Sequence, residues 1–200
     1  HPGGIRLLRR IMAMPNAKML LGNHEFMMLR ALGCPYDPCD PTSDLIREDA
    51  TEHWYRNGGK VTHDHWKRIR KSLRNEIIQY LLDLPLNIDV EVNGIAYKLV
   101  HGAPMDEYLN YPGTPSAIHF AVWKRWRKYD TFSGDFTMIF GHTPTKHYQD
   151  DVPMKLWYGN RMIGIDCGSG YPEDSPEGRL ACLRLDDGKV YYSEEDNYDH

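Results

Sequence analysis

The chain lacks the features that would place it in several large classes of protein. Its longest apolar runs are far shorter than the roughly 20 residues that span a bilayer, so we expect no membrane partner. Its net charge is −4 with histidine neutral, which offers no overall attraction to nucleic acid. Its first residues lack the basic and then apolar order of a signal peptide.

Cysteine is also scarce, and its spacing excludes the common zinc folds. Four cysteines stand at positions 34, 39, 167 and 182, and they match no zinc-finger or zinc-ribbon pattern. We therefore expect reduced thiols and a cytoplasmic location. A disulfide or a metal pair made by Cys34 and Cys39 is an alternative that the sequence neither supports nor excludes.

The size and composition are those of one globular domain. The 200 residues are 41% hydrophobic and 26% charged, which suffices for one sizeable core. We expect a single domain over residues 1–193 and a polar tail over 194–200. The start, His1-Pro2-Gly3-Gly4, is typical of the middle of a loop. We therefore expect the domain to be incomplete at its N-terminal side.

Apolar periodicity predicts alternating helices and strands. Helices are expected at 5–14, 24–32, 64–84 and 116–129, and a loop is expected at 33–44. Strands are expected at 18–21, 136–140 and 162–166, together with hairpins at 88–100 and 180–193. Asn93-Gly94 is a strong signal for the turn of the first hairpin. The fold class is therefore α/β or α+β.

Three of the predicted strands end at a glycine and a histidine that are adjacent or one residue apart. The strand at 18–21 leads into Gly22-Asn23-His24-Glu25, and the later two lead into His101-Gly102 and Gly141-His142. Sites in open α/β sheets form at the carboxyl ends of strands. We therefore expect these residues to converge, with Asp166 as a further candidate.

These side chains suit a metal ion that acts on a phosphate group. Two imidazoles and the Asn23 amide oxygen are ligands that zinc, iron or manganese accept. A bound metal ion lowers the pKa of its water, His24 could protonate a leaving group, and Arg125 could hold phosphate oxygens. Each residue also has an ordinary interpretation: a surface histidine, a turn at Asn23, a solvated Arg125, or a turn cap at Asp166.

The motifs together resemble the calcineurin-like metallophosphoesterases, closest to the phosphoprotein phosphatase branch and its bacterial relatives. Nearly the whole chain is covered by the resemblance. It is carried, in chain order, by Gly22-Asn23-His24-Glu25, Leu99-Val100-His101-Gly102-Ala103-Pro104, Val122-Trp123-Lys124-Arg125, Gly141-His142-Thr143, Ile165-Asp166-Cys167-Gly168-Ser169-Gly170-Tyr171, and Gly178-Arg179-Leu180-Ala181-Cys182-Leu183-Arg184-Leu185.

The resemblance implies a fold, a cofactor and a role for each site residue. The fold would be a β-sandwich flanked by helices. Asn23, His101 and His142 would bind one ion of a centre with two divalent metal ions, with manganese expected first and iron or zinc as alternatives. His24 would be the catalytic acid, and Arg125 would bind the phosphate. The substrate would be a phosphorylated protein or a small phosphoester; no oligomeric state is implied.

The sequence departs from the family in one respect. The blocks Asp-x-His and Gly-Asp-x-x-Asp-Arg, which bring the ligands of the second ion and a bridging carboxylate, are not found in the 200 residues. One of the two metal sites therefore lacks its ligands in this chain. Two rival functions remain: hydrolysis of diadenosine tetraphosphate or another nucleotide polyphosphate, and a non-catalytic binding module.

Overall fold

A computed structural model describes residues 3–37, 39, 47–132, 134–172 and 175–193 of the chain. It contains both helices and strands, which confirms the mixed α/β class. The chain divides into two compact units. The helical unit comprises His1–Leu86 and Met105–Val122, and the sheet unit comprises Asn87–Pro104 and Trp123–His200. Three expectations stay predictions: the β-sandwich architecture, the single domain over 1–193 and the polar tail at 194–200. The tail lies outside the described residues.

The helical unit contains the helices that precede the sheet in the chain. They are α1 (Gly4–Met12), α2 (Asn23–Ala31), α3 (Arg47–Arg56), α4 (Gly59–Trp66) and α5 (Lys71–Leu82). A 3₁₀ helix at Met105–Asn110 and α6 (Ala117–Trp123) follow, the last residue of α6 falling in the sheet unit. The predictions of α1 and α2 are confirmed. Among the described residues, no helix combines the length and apolar composition that a membrane span requires.

Helix α2 lies at the centre of the helical unit. It packs against α3 and α5, and α4 packs against α1 and α3. α2 buries Phe26, Met27, Met28 and Leu29, while α5 contributes the fully buried Ile77 and Leu81. Helix α3, which the sequence did not predict, is mostly polar and shows its apolar side mainly through the buried Trp54.

The predicted strand at 18–21 is not formed, which is a correction. Residues 17–22 pair with no strand in the described part of the chain. Leu21 is fully buried, and its backbone N–H donates to the Pro85 carbonyl at 3.0 Å. A strand needs a neighbouring strand to accept its ladder of hydrogen bonds. The apolar residues at 19–21 therefore indicate that this segment is partly buried, and they do not indicate a paired strand.

The single helix predicted at 64–84 is two helices, which is a second correction. Arg70 is extended (φ −63°, ψ 150°) and separates α4 from α5. The Arg74 guanidinium donates to the carbonyls of Lys67 (2.5 Å) and Ile69 (3.0 Å), so these groups are satisfied without a continuous helix. The apolar spacing runs through the break because Trp66 and Ile77 are both buried.

The sheet unit contains a mixed sheet of five strands in the order β1-β2-β3-β5-β4. The strands are β1 (Asn87–Val92), β2 (Ile95–Val100), β3 (Thr137–Phe140), β4 (Trp157–Gly159) and β5 (Met162–Gly164). β2–β3 and β3–β5 are parallel pairs, whereas β1–β2 and β4–β5 are antiparallel. A separate hairpin joins β6 (Ala181–Leu183) and β7 (Val190–Tyr192). The predicted hairpins and the strand at 136–140 are confirmed.

Two predicted elements are shorter in the structure than expected. Strand β5 ends at Gly164 instead of residue 166. Helix α6 ends at Trp123 instead of residue 129. Groups of the residues that follow make hydrogen bonds outside a helix. The buried Trp126 donates its indole N–H to the Gly102 carbonyl at 2.9 Å, and the Arg127 backbone N–H donates to the Asp130 carboxylate at 2.9 Å. The three-residue strand β4 was not predicted because it is too short to show alternation.

The turn between β1 and β2 has the geometry that its sequence predicts. Asn93 and Gly94 have φ values of +54° and +75°. Two consecutive residues in the left-handed region are the mark of a type I′ turn, whose twist matches that of the strands. The turn therefore sets the register Val92↔Ile95.

Replacement of Gly94 tests this turn. We expect Gly94→Ala to lower the free energy of unfolding by about 1 kcal/mol, because alanine is strained in the left-handed region. A Cβ would meet no atom within 4 Å at Gly94 or at Gly170, and Gly170 is not left-handed. Gly170→Ala is therefore the matched control, expected within about 0.5 kcal/mol of the wild type. Urea unfolding measures both, and equal stability of the two variants would contradict the turn assignment.

Candidate metal centre

Two histidines of the sheet unit lie at the same edge of the sheet. β2 and β3 are parallel neighbours, and their last residues, Val100 and Phe140, are paired in register. The Gly141 backbone N–H then donates to the His101 carbonyl at 3.0 Å, which extends the pairing past both strands. The parallel register therefore brings His101 and His142 together, as the sequence predicted.

The two imidazole rings have a spacing that a shared metal ion allows. Their centroids are 5.0 Å apart and their planes are inclined at 52°. Two imidazoles that bind one tetrahedral ion at about 2.1 Å have centroids about 5 Å apart. The same spacing also occurs in ordinary aromatic pairs. The pair therefore fits a shared ion without requiring one.

His142 is held in an uncommon backbone conformation. Its φ of +64° lies in the left-handed region, which only a few per cent of residues other than glycine adopt, histidine being among the more frequent of them. Only 9% of the residue is exposed, and the Trp123 ring packs edge-on against its imidazole with centroids 5.6 Å apart. Such strain is kept only where the surroundings impose it, and it is concentrated at functional sites.

Arg125 is tied to the same place by its side chain. Its Nη1 donates to the His142 carbonyl at 2.9 Å. The neighbouring Trp126 is bonded to the carbonyl of Gly102, the residue after His101. A guanidinium has five N–H donors in a planar fork, so Arg125 keeps others for a ligand. The sequence identified Arg125 as a candidate but missed the anchoring role of Trp126, which its aromatic and basic surroundings did not distinguish.

Asn23 and His24 begin helix α2 in the helical unit, and not in the unit that contains the histidine pair. Asn23 is buried, with 6% of its surface exposed. Because a metal ligand has to face its ion, this burial leaves the predicted role open. The membership of both residues in one site with His101 and His142 therefore stays a prediction.

The surroundings of His24 affect its predicted role as an acid. The residue is exposed, yet partial loss of solvent around its ring lowers the pKa of the imidazole below its usual value of 6.5. An imidazole with a lowered pKa is mainly uncharged at pH 7. A general-acid role at neutral pH therefore needs an anionic partner that raises this pKa.

Asp166 caps a turn, and the four cysteines form no disulfide. The Asp166 carboxylate accepts a hydrogen bond from the Gly168 backbone N–H at 3.0 Å, which is the turn cap considered above. All four cysteines are free thiols, including Cys34 and Cys39. Burial raises the pKa of the Cys167 thiol, so this residue stays protonated at neutral pH.

A search for groups of three or more possible metal ligands found none among the described residues. Within the ranges that the structure describes, His, Cys, Asp and Glu side chains nowhere gather in groups of three suited to a metal ion. The predicted set of two histidines and one asparagine is not of that kind, so this finding does not test it. Comparison of the sequence with models of protein families and with curated proteins found no match.

Removal of one imidazole tests the pair as a metal site. We expect His101→Ala and His142→Gly each to lower the affinity for Mn²⁺ at least about tenfold, since even the outer partners of metal ligands contribute that much. Glycine is chosen at 142 because it tolerates the left-handed region and offers no side-chain ligand. The measurement is metal content after dialysis against Mn²⁺.

The exposed His147 provides the matched control, because it belongs to the same unit and follows His142 closely in the chain. His147→Ala should retain the metal content of the wild type. Unchanged metal content in both test variants, with circular dichroism like that of the wild type, would remove the pair from the ligand set.

Proposed function

We propose that the chain is a metal-dependent phosphoesterase that hydrolyses phosphate monoesters, of the serine/threonine phosphoprotein phosphatase type. The observation that carries the proposal is the group formed by His101, His142 and Arg125 at the ends of two parallel strands. It combines imidazoles suited to a divalent ion with a guanidinium suited to phosphate. The order of the motifs along the chain supports the same function.

The metal ion would be held by the two imidazoles, with the Asn23 amide oxygen as the predicted third ligand. Manganese is expected first, and iron or zinc are alternatives, because imidazole and oxygen ligands suit all three. When bound, such an ion lowers the pKa of a water molecule and so supplies a nucleophile near neutral pH. The resemblance assigns ligands for one of two ions to this chain.

Arg125 would orient the phosphate group. Its bond to the His142 carbonyl keeps the guanidinium beside the imidazole pair before any substrate binds. The remaining N–H donors can bind two phosphate oxygens at once, which fixes both the position and the orientation of the group. This preorganisation would favour attack in one geometry.

His24 would donate a proton to the leaving oxygen. In the hydrolysis of phosphoserine or phosphothreonine, the serine or threonine side-chain oxygen leaves as an alkoxide, which is a poor leaving group without protonation. A nitrophenolate leaves unaided. An acid in this position would therefore matter far more for the phosphoprotein than for an activated aryl ester.

The packing of the aromatic residues favours a phosphoprotein over a dinucleotide. A diadenosine polyphosphate needs aromatic rings on which its bases stack, and we consider Trp123, Trp126 and Tyr171 for this role. Trp126 is only 3% exposed. The Lys146 ammonium covers the Tyr171 ring, 4.8 Å from its centroid. Trp126 is therefore buried in the protein, and a lysine lies over one face of Tyr171.

A comparison of substrates tests the class of reaction. With Mn²⁺ present, we expect a phosphoserine peptide to be hydrolysed with a higher kcat/KM than diadenosine tetraphosphate. Release of inorganic phosphate and of nucleotides measures the two reactions. Faster hydrolysis of the dinucleotide would favour the rival enzyme, and no turnover of either substrate would favour the binding module.

Replacement of His24 tests the proposed acid. We expect His24→Ala to lower kcat on a phosphoserine peptide by roughly 10²–10⁴-fold. Hydrolysis of p-nitrophenyl phosphate should fall much less, since its leaving group needs no proton. Metal content should match that of the wild type. A loss of the same size on both substrates would argue against a general acid at this position.

A further inference from the structure

A short basic loop, residues 124–130, follows α6 in the sheet unit. It contains Lys124, Arg125, Arg127 and Lys128 and a single acid, Asp130. The protein as a whole is negative, with a net charge of −4. The basic loop is therefore a local reversal of charge, and it includes the arginine of the candidate site.

The basic loop is anchored at both strand ends of the candidate site. The Trp126 indole N–H donates to the Gly102 carbonyl, and the Tyr148 hydroxyl donates to the Trp126 carbonyl, each at 2.9 Å. Arg125 is bonded to the His142 carbonyl. These bonds hold the middle of the loop beside both histidines.

The residues after Trp126 point their charges outward. Arg127 and Lys128 are exposed, and Tyr129 has 87% of its surface exposed. The acid of the loop is used internally, since the Asp130 carboxylate accepts the Arg127 backbone N–H and the Asp130 N–H donates to the Arg127 carbonyl at 3.1 Å. Lys124 lies over the Trp126 ring, 5.1 Å from its centroid.

The shortness of the loop limits how far its exposed cations lie from Arg125. Consecutive Cα atoms are about 3.8 Å apart, so Arg127 and Lys128 lie within about 8 and 11 Å of Arg125. An extended peptide advances about 3.3 Å per residue. A peptide whose phosphate contacts Arg125 therefore brings its residues at positions two and three from the phosphorylated one within reach of these cations.

We propose that Arg127 and Lys128 form a specificity site that binds acidic side chains near the phosphorylated residue of a substrate protein. This inference rests on the proposed function, because it takes Arg125 as the group that binds the phosphate. Each exposed ion pair changes an affinity by about 1.4- to 5-fold. Two such contacts give a preference for acidic substrates of about 2- to 25-fold.

The test compares two phosphoserine peptides that differ only in charge. One has aspartate at the positions two and three residues from the phosphoserine on both sides, and the other has asparagine there. At low salt, we expect the wild type with Mn²⁺ to hydrolyse the acidic peptide with the higher kcat/KM. The double variant Arg127→Ala/Lys128→Ala should lose this preference through KM, and 0.5 M salt should weaken it in the wild type.

Lys67 and Arg68, which are consecutive in the chain, provide a matched control. Both residues are exposed, lie in the helical unit and have the same two side chains as the test pair. Lys67→Ala/Arg68→Ala changes the net charge equally and should retain the preference. Hydrolysis of p-nitrophenyl phosphate, which has no flanking residues, should be the same in all three proteins.

Equal kcat/KM for the two peptides in the wild type would overturn the proposal. So would a preference that survives in the double variant, or one that is lost equally in the control. Failure of the proposed function would be seen separately, as no hydrolysis of p-nitrophenyl phosphate by the wild type. Fluorescence anisotropy of labelled peptides then measures the same preference as binding, and equal Kd values for the two peptides would reject the site.

Discussion

The parallel pairing of β2 with β3 is the constraint on which the candidate site depends. Val100 and Phe140 are partners in register, so both strands end at the same level. The pairing continues for one more bond, from the Gly141 N–H to the His101 carbonyl. A strand pair of the opposite direction would place the two histidines at opposite edges. The direction and register of this one ladder therefore create the group of imidazoles.

The aromatic core of the sheet unit supports the same group from behind. Phe140 meets Tyr148 edge-on at 5.9 Å, and Tyr148 stacks on Trp157 at 4.5 Å. The buried Tyr148 in turn donates to the Trp126 carbonyl, which places the loop that contains Arg125. Large aromatic side chains contribute much of a core's stability because each buries about 150–250 Å². The loop that contains Arg125 is thus bonded to a residue of the buried aromatic core.

This arrangement includes one local cost. His142 is left-handed, which for an ordinary side chain costs about 1–2 kcal/mol. The Arg125 bond to its carbonyl and the Trp123 ring against its imidazole are interactions that offset the cost. Arg125 and Trp123, which hold the strained His142, are two residues apart in one segment of the chain. The backbone conformation of His142 is therefore connected with Arg125, the residue proposed to bind phosphate. The same segment carries the exposed cations of the basic loop.

The sequence by itself determined the α/β class, the hairpin at Asn93-Gly94, helices α1 and α2, and the grouping of His101 with His142. These features follow from local signals: a turn that needs positive φ, an apolar stripe at helical spacing, and polar residues placed after strands. Only the tertiary structure decided that 18–21 is unpaired, that Arg74 bonds across the break between α4 and α5, and that Trp126 ends α6 early. Each of these depends on a hydrogen-bond partner distant in the chain or on a side chain that competes with the backbone, and neither leaves a periodic signal in the sequence.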